Sequence, residues 1–302
     1  MKKTSAIALA IAGTVATPVA VADGGGGLYI SARAGVEQVS HDADAKEGLT
    51  FGNLSSRLGW KGETDLGNGW TTFAHLEAAA DGFGLRNLHV GMKGDFGSIK
   101  IGEKTYAAFY NHVTAPVDPM YWVGAGGLVQ TGRTSKVINY SGGTGAVSFD
   151  VAVEADGPTE DGSSDDGVVG TQLGVTIGLG DWNLSLGTRD AEDAEDSTDG
   201  TVTGVTLHGA LGDASLAVSV QQSDGADGSD GVDGVHVVVG LGPFIIDYGM
   251  RDDGSSEPSK LAVQYSQSIG RNTTFWAEAE SADSDGGDDS TTIVGAIRYD
   301  WN

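Results

Sequence analysis

Near its end the chain sets Ile293, Gly295, Ile297, Tyr299 and Trp301 against Thr292, Val294, Arg298 and Asp300. Successive side chains of a strand point to opposite sides, so this period-two series predicts a β-strand with one oily face. Two aromatics closing that strand suit the rim of a barrel in lipid, where rings sit at the membrane–water boundary. A soluble acidic β-sandwich would explain the alternation but not this aromatic ending. Beyond residue 22 no apolar run approaches the roughly 20 residues that a membrane-spanning helix needs. A barrel needs none, because half of each strand can face a polar lumen, and a mean hydropathy of −0.13 is compatible with it.

The same alternation predicts a first strand over 27–37, with Leu28, Ile30, Ala32, Ala34 and Val36 on one face and Tyr29, Ser31, Arg33 and Glu37 on the other. A second, over 51–63, puts Leu54, Leu58 and Trp60 opposite Asn53, Ser55, Arg57 and Lys61. Further strands are expected at 70–79 and 85–94, 97–104 and 133–141, 146–155 and 168–178, 181–189 and 201–209, 214–222 and 233–241, 243–250 and 259–268, and 273–280 with 290–301. Short links such as Leu66-Gly67-Asn68-Gly69 use residues that tolerate positive φ. About seven short turns alternate with about eight longer acidic links, giving roughly sixteen strands, the layout of an outer-membrane barrel.

Met1-Lys2-Lys3, an apolar core from Ala6 to Val15 and Ala20-Val21-Ala22 are the three parts of a secretory signal. Residues 1–22 are therefore expected to be removed, leaving one barrel domain over 23–302 in a bacterial outer membrane. The chain has 17 Lys and Arg against 42 Asp and Glu, and no cysteine. Without the two signal lysines, 15 basic residues face 42 acidic ones, a net charge of −27. Phosphates would be repelled, which excludes nucleic acid as a partner. Disulfides and thiolate chemistry are excluded outright. Acidity this dense also suits a salt-rich habitat.

Arg57-Leu58-Gly59-Trp60-Lys61-Gly62-Glu63-Thr64 closely resembles the second strand of the general, non-specific bacterial porins. The stretch from Leu88 to Gly102, with Gly94-Asp95-Phe96-Gly97 at its centre, resembles their fourth strand, turn and fifth strand, and Gly295 to Trp301 resembles their closing strand. The resemblance implies a sixteen-stranded antiparallel transmembrane β-barrel, all-β, assembled as a homotrimer, whose third external loop folds inward and narrows the lumen. Such a barrel would be inserted into outer-membrane lipid by the barrel-assembly machinery and would pass small hydrophilic solutes and ions. Two departures stand out. Asn302 follows the terminal aromatic, and Glu103 precedes Lys104 where the family often carries a basic residue.

The third loop would run from about Lys104 to Gly132, well beyond ordinary loop lengths. Other long links are strings of Asp, Glu, Gly and Ser. This one holds Tyr106, Phe109, Tyr110, Pro116, Val117, Pro119, Met120, Tyr121 and Trp122, which suggests packing against an inner wall. Glu103, Tyr106, Asp118 and Tyr121 are its expected constriction residues. Parity places Arg33, Arg57 and Lys61 on the lumen face, with Arg298 on the polar face of the last strand. Arg86 and Arg133 join them by the family resemblance; parity alone sets Arg86 with Leu88, Val90 and Met92. Basic groups facing acids would impose a transverse field that sorts ions. Weak cation selectivity is the expectation, since the acidic loops gather cations at the mouth.

Asp-Gly runs such as Asp224–Gly234 offer the oxygens a hard cation such as Ca2+ takes, but no twelve-residue EF-hand pattern with a closing Glu is present. Solvated loops and no cofactor are expected. The six histidines are scattered, and no Gly-x-Ser-x-Gly elbow appears, so the chain is not expected to be an enzyme. The alternative is a barrel acting mainly as a surface adhesin or structural protein through its acidic loops.

Overall fold

A computed structural model describes residues 25–41, 48–124, 126–129, 132–155, 167–191, 200–224, 231–287 and 289–301. The signal over 1–22, much of the acidic loops and Asn302 lie outside the described residues. The strands are β1 (Gly26–His41), β2 (Gly48–Asn53), β3 (Arg57–Gly67), β4 (Trp70–Ala79), β5 (Leu85–Gly94), β6 (Gly97–Thr105), β7 (Thr134–Thr144), β8 (Val147–Glu154), β9 (Gly170–Leu179), β10 (Trp182–Ala191), β11 (Gly200–Leu211), β12 (Ala214–Ser223), β13 (Val232–Leu241), β14 (Phe244–Asp252), β15 (Ser259–Ser268), β16 (Thr273–Asp283) and β17 (Ser290–Trp301). From β3 onward each pairs antiparallel with the next, and β17 returns to β1 with Ile30 opposite Trp301 and His41 opposite Ser290. The result is a closed antiparallel barrel of sixteen staves, with β2 and β3 sharing one stave.

That shared stave corrects the expectation of an unbroken strand over 51–63. β3 pairs with β1 from Gly26 to Ser31 and β2 pairs with it from Ala34 to Val39. Between them Ser55 takes φ +63° and Leu54 turns inward, buried against Trp276, Val294 and Ala296. Leu54 thus leaves the outer face kept by Leu58 and Trp60. The Ser56 hydroxyl mends the gap in the ladder: it accepts from Arg33 N–H at 2.7 Å and donates to Arg33 C=O at 3.0 Å.

Alternation in β17 holds as expected. Ile293, Ile297, Tyr299 and Trp301 are each about half exposed, while Val294 and Ala296 are 1 % and 3 % exposed. The outer face carries an exposed apolar belt that includes Ile138, Val151, Leu186, Val205 and Ile297, as lipid requires, and the inner face holds the buried polar groups. The short turns take left-handed backbone at Asn68 (φ +55°) and Gly145 (φ +56°), which is why Asn and Gly occupy them.

Far inside the wall, Glu154 on β8 receives a two-pronged contact from Arg189 on β10, Nε to Oε1 and Nη2 to Oε2 at 2.8 Å each, and a third bond from Gln172 on β9 at 2.8 Å. Removing one partner of such a buried pair strands the other charge. R189M should therefore cost about 3–5 kcal/mol, read as a lower midpoint of heat-modifiable migration, and R189M/E154M should recover part of the loss. An R189M barrel as heat-resistant as the parent would contradict this.

Candidate functional site

The chain between β6 and β7 does not stay near those strands. Ala107 and Ala108 pack on Val137 and Ala152. Asn111 donates to Asp150 of β8 at 2.7 Å. Phe109 N–H donates to Gln172 of β9 at 2.9 Å, and Thr206 of β11 donates to Val113 C=O at 2.7 Å. A π-helical turn over Tyr110–Thr114 and a 3-10 turn over Ala115–Val117 carry the chain along this wall. Val117 reaches Ala217 of β12 and Val238 of β13.

At the far end a single carboxylate gathers the tip. Glu278 of β16 accepts from the N–H groups of Tyr121 (2.9 Å), Trp122 (3.2 Å) and Val123 (2.9 Å), while Tyr121 N–H also reaches Gln264 of β15 at 3.0 Å. Tyr121 meets Trp276 edge-on at 5.5 Å, and Val123 joins Leu54, Ala262, Val294 and Ala296. The return leg fixes Val129 N–H on Gln221 of β12 at 2.9 Å. Orphan backbone donors and apolar side chains of one loop thus meet complementary partners on the inner face of nearly every strand from β8 to β17.

The basic residues converge on the other part of the wall. Arg86 lies 3.1 Å from Glu77, and Arg133 lies 4.0 Å from the same oxygen. Tyr29 also donates to Glu77 at 2.7 Å, and Asn87 at 3.3 Å. Arg86 can reach this lumen carboxylate because the β4–β5 register skips it: Glu77 pairs with Asn87 and Ala78 with Leu85. A β-bulge re-aims the side chain, and this resolves the conflict between strand parity and the family resemblance. Arg33 is buried, with Nε 3.3 Å from Ser31 Oγ. Lys61 is exposed on the same face, 5.4 Å over the Tyr29 ring.

Loop tyrosines meet two of these cations. The Arg133 guanidinium lies 4.4 Å over the Tyr106 ring, which stacks at 3.9 Å on Tyr110. Arg298 lies 4.8 Å over Tyr121 and 2.9 Å from Asp300. An aromatic face attracts a cation without cancelling its charge. Burial, followed by the neighbouring Arg86 and Arg57, pulls the Arg133 pKa below the usual guanidinium range, while Tyr106 and Glu77 oppose the shift. Asp118 is exposed on the loop and accepts from Tyr110 Oη at 3.1 Å. Burial first, then Asp118, pushes the Tyr110 hydroxyl pKa up, so it stays a donor.

Glu103 departs from the expected group. It continues the exposed face of Ile99 and Ile101, and the β5–β6 register passes from Leu88–Lys104 to His89–Gly102 without it. Outward parity, with a bulge at the strand's end, keeps it away from Tyr106 and Asp118. Sequence reading missed Glu278, Gln172 and Gln221, the polar anchors of the loop. Their signal was present as buried-face polar residues on period-two strands, without a partner to assign.

A family model described as Gram-negative porin matches residues 5–287. The major outer membrane protein P.IB of Neisseria meningitidis serogroup B is 37% identical over 88 residues, 25% of this chain and 27% of that protein. The chain thus matches about a quarter of this relative's length. Among solved structures, OmpF of Salmonella typhi, in complex with daunomycin, superposes with a TM-score of 0.70 at 15% identity, over 91% of this chain and 97% of that one. The trimer form of OmpT, an outer membrane protein of Vibrio cholerae, gives 0.67 at 15% identity over 92% and 99%. At such identities the likeness speaks for the fold alone, and the family match carries the assignment: the chain belongs to the Gram-negative porins and is a β-barrel of the bacterial outer membrane.

Proposed function

We propose that this chain is a water-filled diffusion channel for small hydrophilic solutes and ions, narrowed by its third loop, and that it performs no chemistry. The observation that carries the reading is the seating of the loop on inner-face groups of strands as distant as β9 and β16, through Gln172 and Glu278. A loop bonded to those side chains lies within the ring of staves and reduces its cross-section. Arg33, Arg57, Lys61, Arg86, Arg133 and Arg298 then line one stretch of the passage, and Asp118 is exposed on the loop. Only the wet gap between is left for solutes, which favours size and charge as the sorting criteria.

A homotrimer in outer-membrane lipid is supported by the trimer form of the OmpT neighbour. Insertion by the barrel-assembly machinery follows from the outer-membrane address. For charge selectivity two effects compete. The arginine cluster repels cations at the narrows, with few acids among it. The acid excess of the whole chain attracts them at the mouth, but beyond about 8 Å that attraction is screened at physiological salt. Weak cation selectivity is the balance we infer, stronger at low salt.

Single-channel recording in planar bilayers tests the channel itself: stepwise conductance is expected, and its absence would sink the reading. In a salt gradient the reversal potential should indicate cations, and D118N should move it toward anions. Tyr106 supplies a second probe. In Y106L, Arg133 loses its ring and closes on Glu77, so the potential should move toward cations, whereas Y106F keeps the face and should match the parent. Equal shifts in Y106L and Y106F would show that the ring is not what holds Arg133.

A further inference from the structure

Gly174, Gly187 and Gly204 stand in direct cross-strand register on β9, β10 and β11, with Asp150 of β8 next to Gly174 and Gln221 of β12 next to Gly204. None of the three has a left-handed φ, so backbone conformation does not call for glycine at any of them. Space does. A Cβ on Gly174 would lie 2.4 Å from the His112 ring and 2.5 Å from Ala108 C=O. On Gly187 it would lie 2.8 Å from Val113 Cγ2, and on Gly204 it would lie 2.5 Å from Val113 Cγ1 and 3.1 Å from the Phe109 ring. Carbon atoms pack best at about 3.5–4.0 Å. The loop segment from Ala108 to Val113 therefore occupies the volume of three missing side chains.

The segment is also clamped in that trough. Gln172 holds Phe109 N–H, Thr206 holds Val113 C=O, and His112 Nδ1 meets Thr176 Oγ1 at 2.7 Å. The Tyr106–Tyr110 stack, with Asp118 on the Tyr110 hydroxyl, belongs to the same turn. We propose that the Gly174–Gly187–Gly204 row is the positioning element that sets how far the third loop stands into the channel, and with it the solute size limit. This rests on the reading that the loop narrows the lumen. Each glycine sits on a strand paired on both sides, so the wall is the stiffer partner. A methyl group added there displaces the loop, by about the 1 Å needed to restore ordinary carbon contact.

The test is single-channel conductance, with liposome swelling in sugars of graded size, on the parent, G204A, G187A and G204A/V113A. Lower conductance and a smaller size limit are expected in G204A, a milder fall in G187A, and recovery in G204A/V113A, because Val113 Cγ1 is the atom nearest the new methyl. Unchanged conductance in G204A and G187A on a conducting parent overturns the proposal, as does a fall that V113A does not reverse. A parent without conductance overturns the channel reading instead. Should G204A fail to give a heat-modifiable barrel, G204A/V113A must restore assembly and G187A must still show the smaller pore; failure of either overturns the proposal.

Discussion

The constraint on which everything else depends is the pairing of every backbone N–H and C=O in a medium that offers no water. A sheet can meet it in lipid only by closing on itself. Here closure is the β1–β17 ladder, in which Arg33 lies opposite Arg298 and Ala34 opposite Ile297. Closure makes one face of every strand outer and the other inner, and the chain's chemistry follows that division. The large apolar residues exposed on the outer face are Ile, Leu, Val and aromatics. Inward residues include Arg, Glu, Gln, Ser and Gly, and in the function we propose they serve two ends that pull against each other: a hydrated passage, and a dry seat for a loop.

The seat is polar and apolar by turns. Where the loop's backbone donors face the wall, Gln172, Gln221 and Glu278 accept from them. Where its apolar side chains face the wall, glycines or small residues such as Ala152, Ala217 and Ala262 make room. A buried N–H without a partner costs roughly 1–3 kcal/mol, so these acceptors decide where the loop can lie. Arg133 and Arg298 sit where the loop's own rings, Tyr106 and Tyr121, come against them. Cation–π contact positions those guanidiniums without cancelling their charge, while Asp300 pairs with Arg298 at 2.9 Å.

Much of this was legible in the chain. Period-two alternation and Gly-Asp or Asn-Gly turns predicted the staves and their number, and the aromatics between Tyr106 and Trp122 marked a loop that packs. Arg33, Arg57, Lys61 and Arg298 follow from parity alone. What escaped has specific causes. Arg86 changes face through a bulge that no residue pattern announces, and Glu103 stays outward by the parity of Ile99 and Ile101. Leu54 turns in because Ser55 adopts a left-handed φ, interrupting the stave between Asn53 and Arg57. Glycines within strands read as weak strand formers; that Gly174, Gly187 and Gly204 form one row requires the registers of three strands at once.

We infer that the third loop lies in the conducting path with Asp118 exposed to it. The chain contains no cysteine, so D118C would carry its sole thiol. A charged, membrane-impermeant thiol reagent added during single-channel recording should lower the conductance of D118C in discrete steps and leave the parent unaffected. Stoichiometric labelling of D118C with no change in conductance would place Asp118 outside the conducting path.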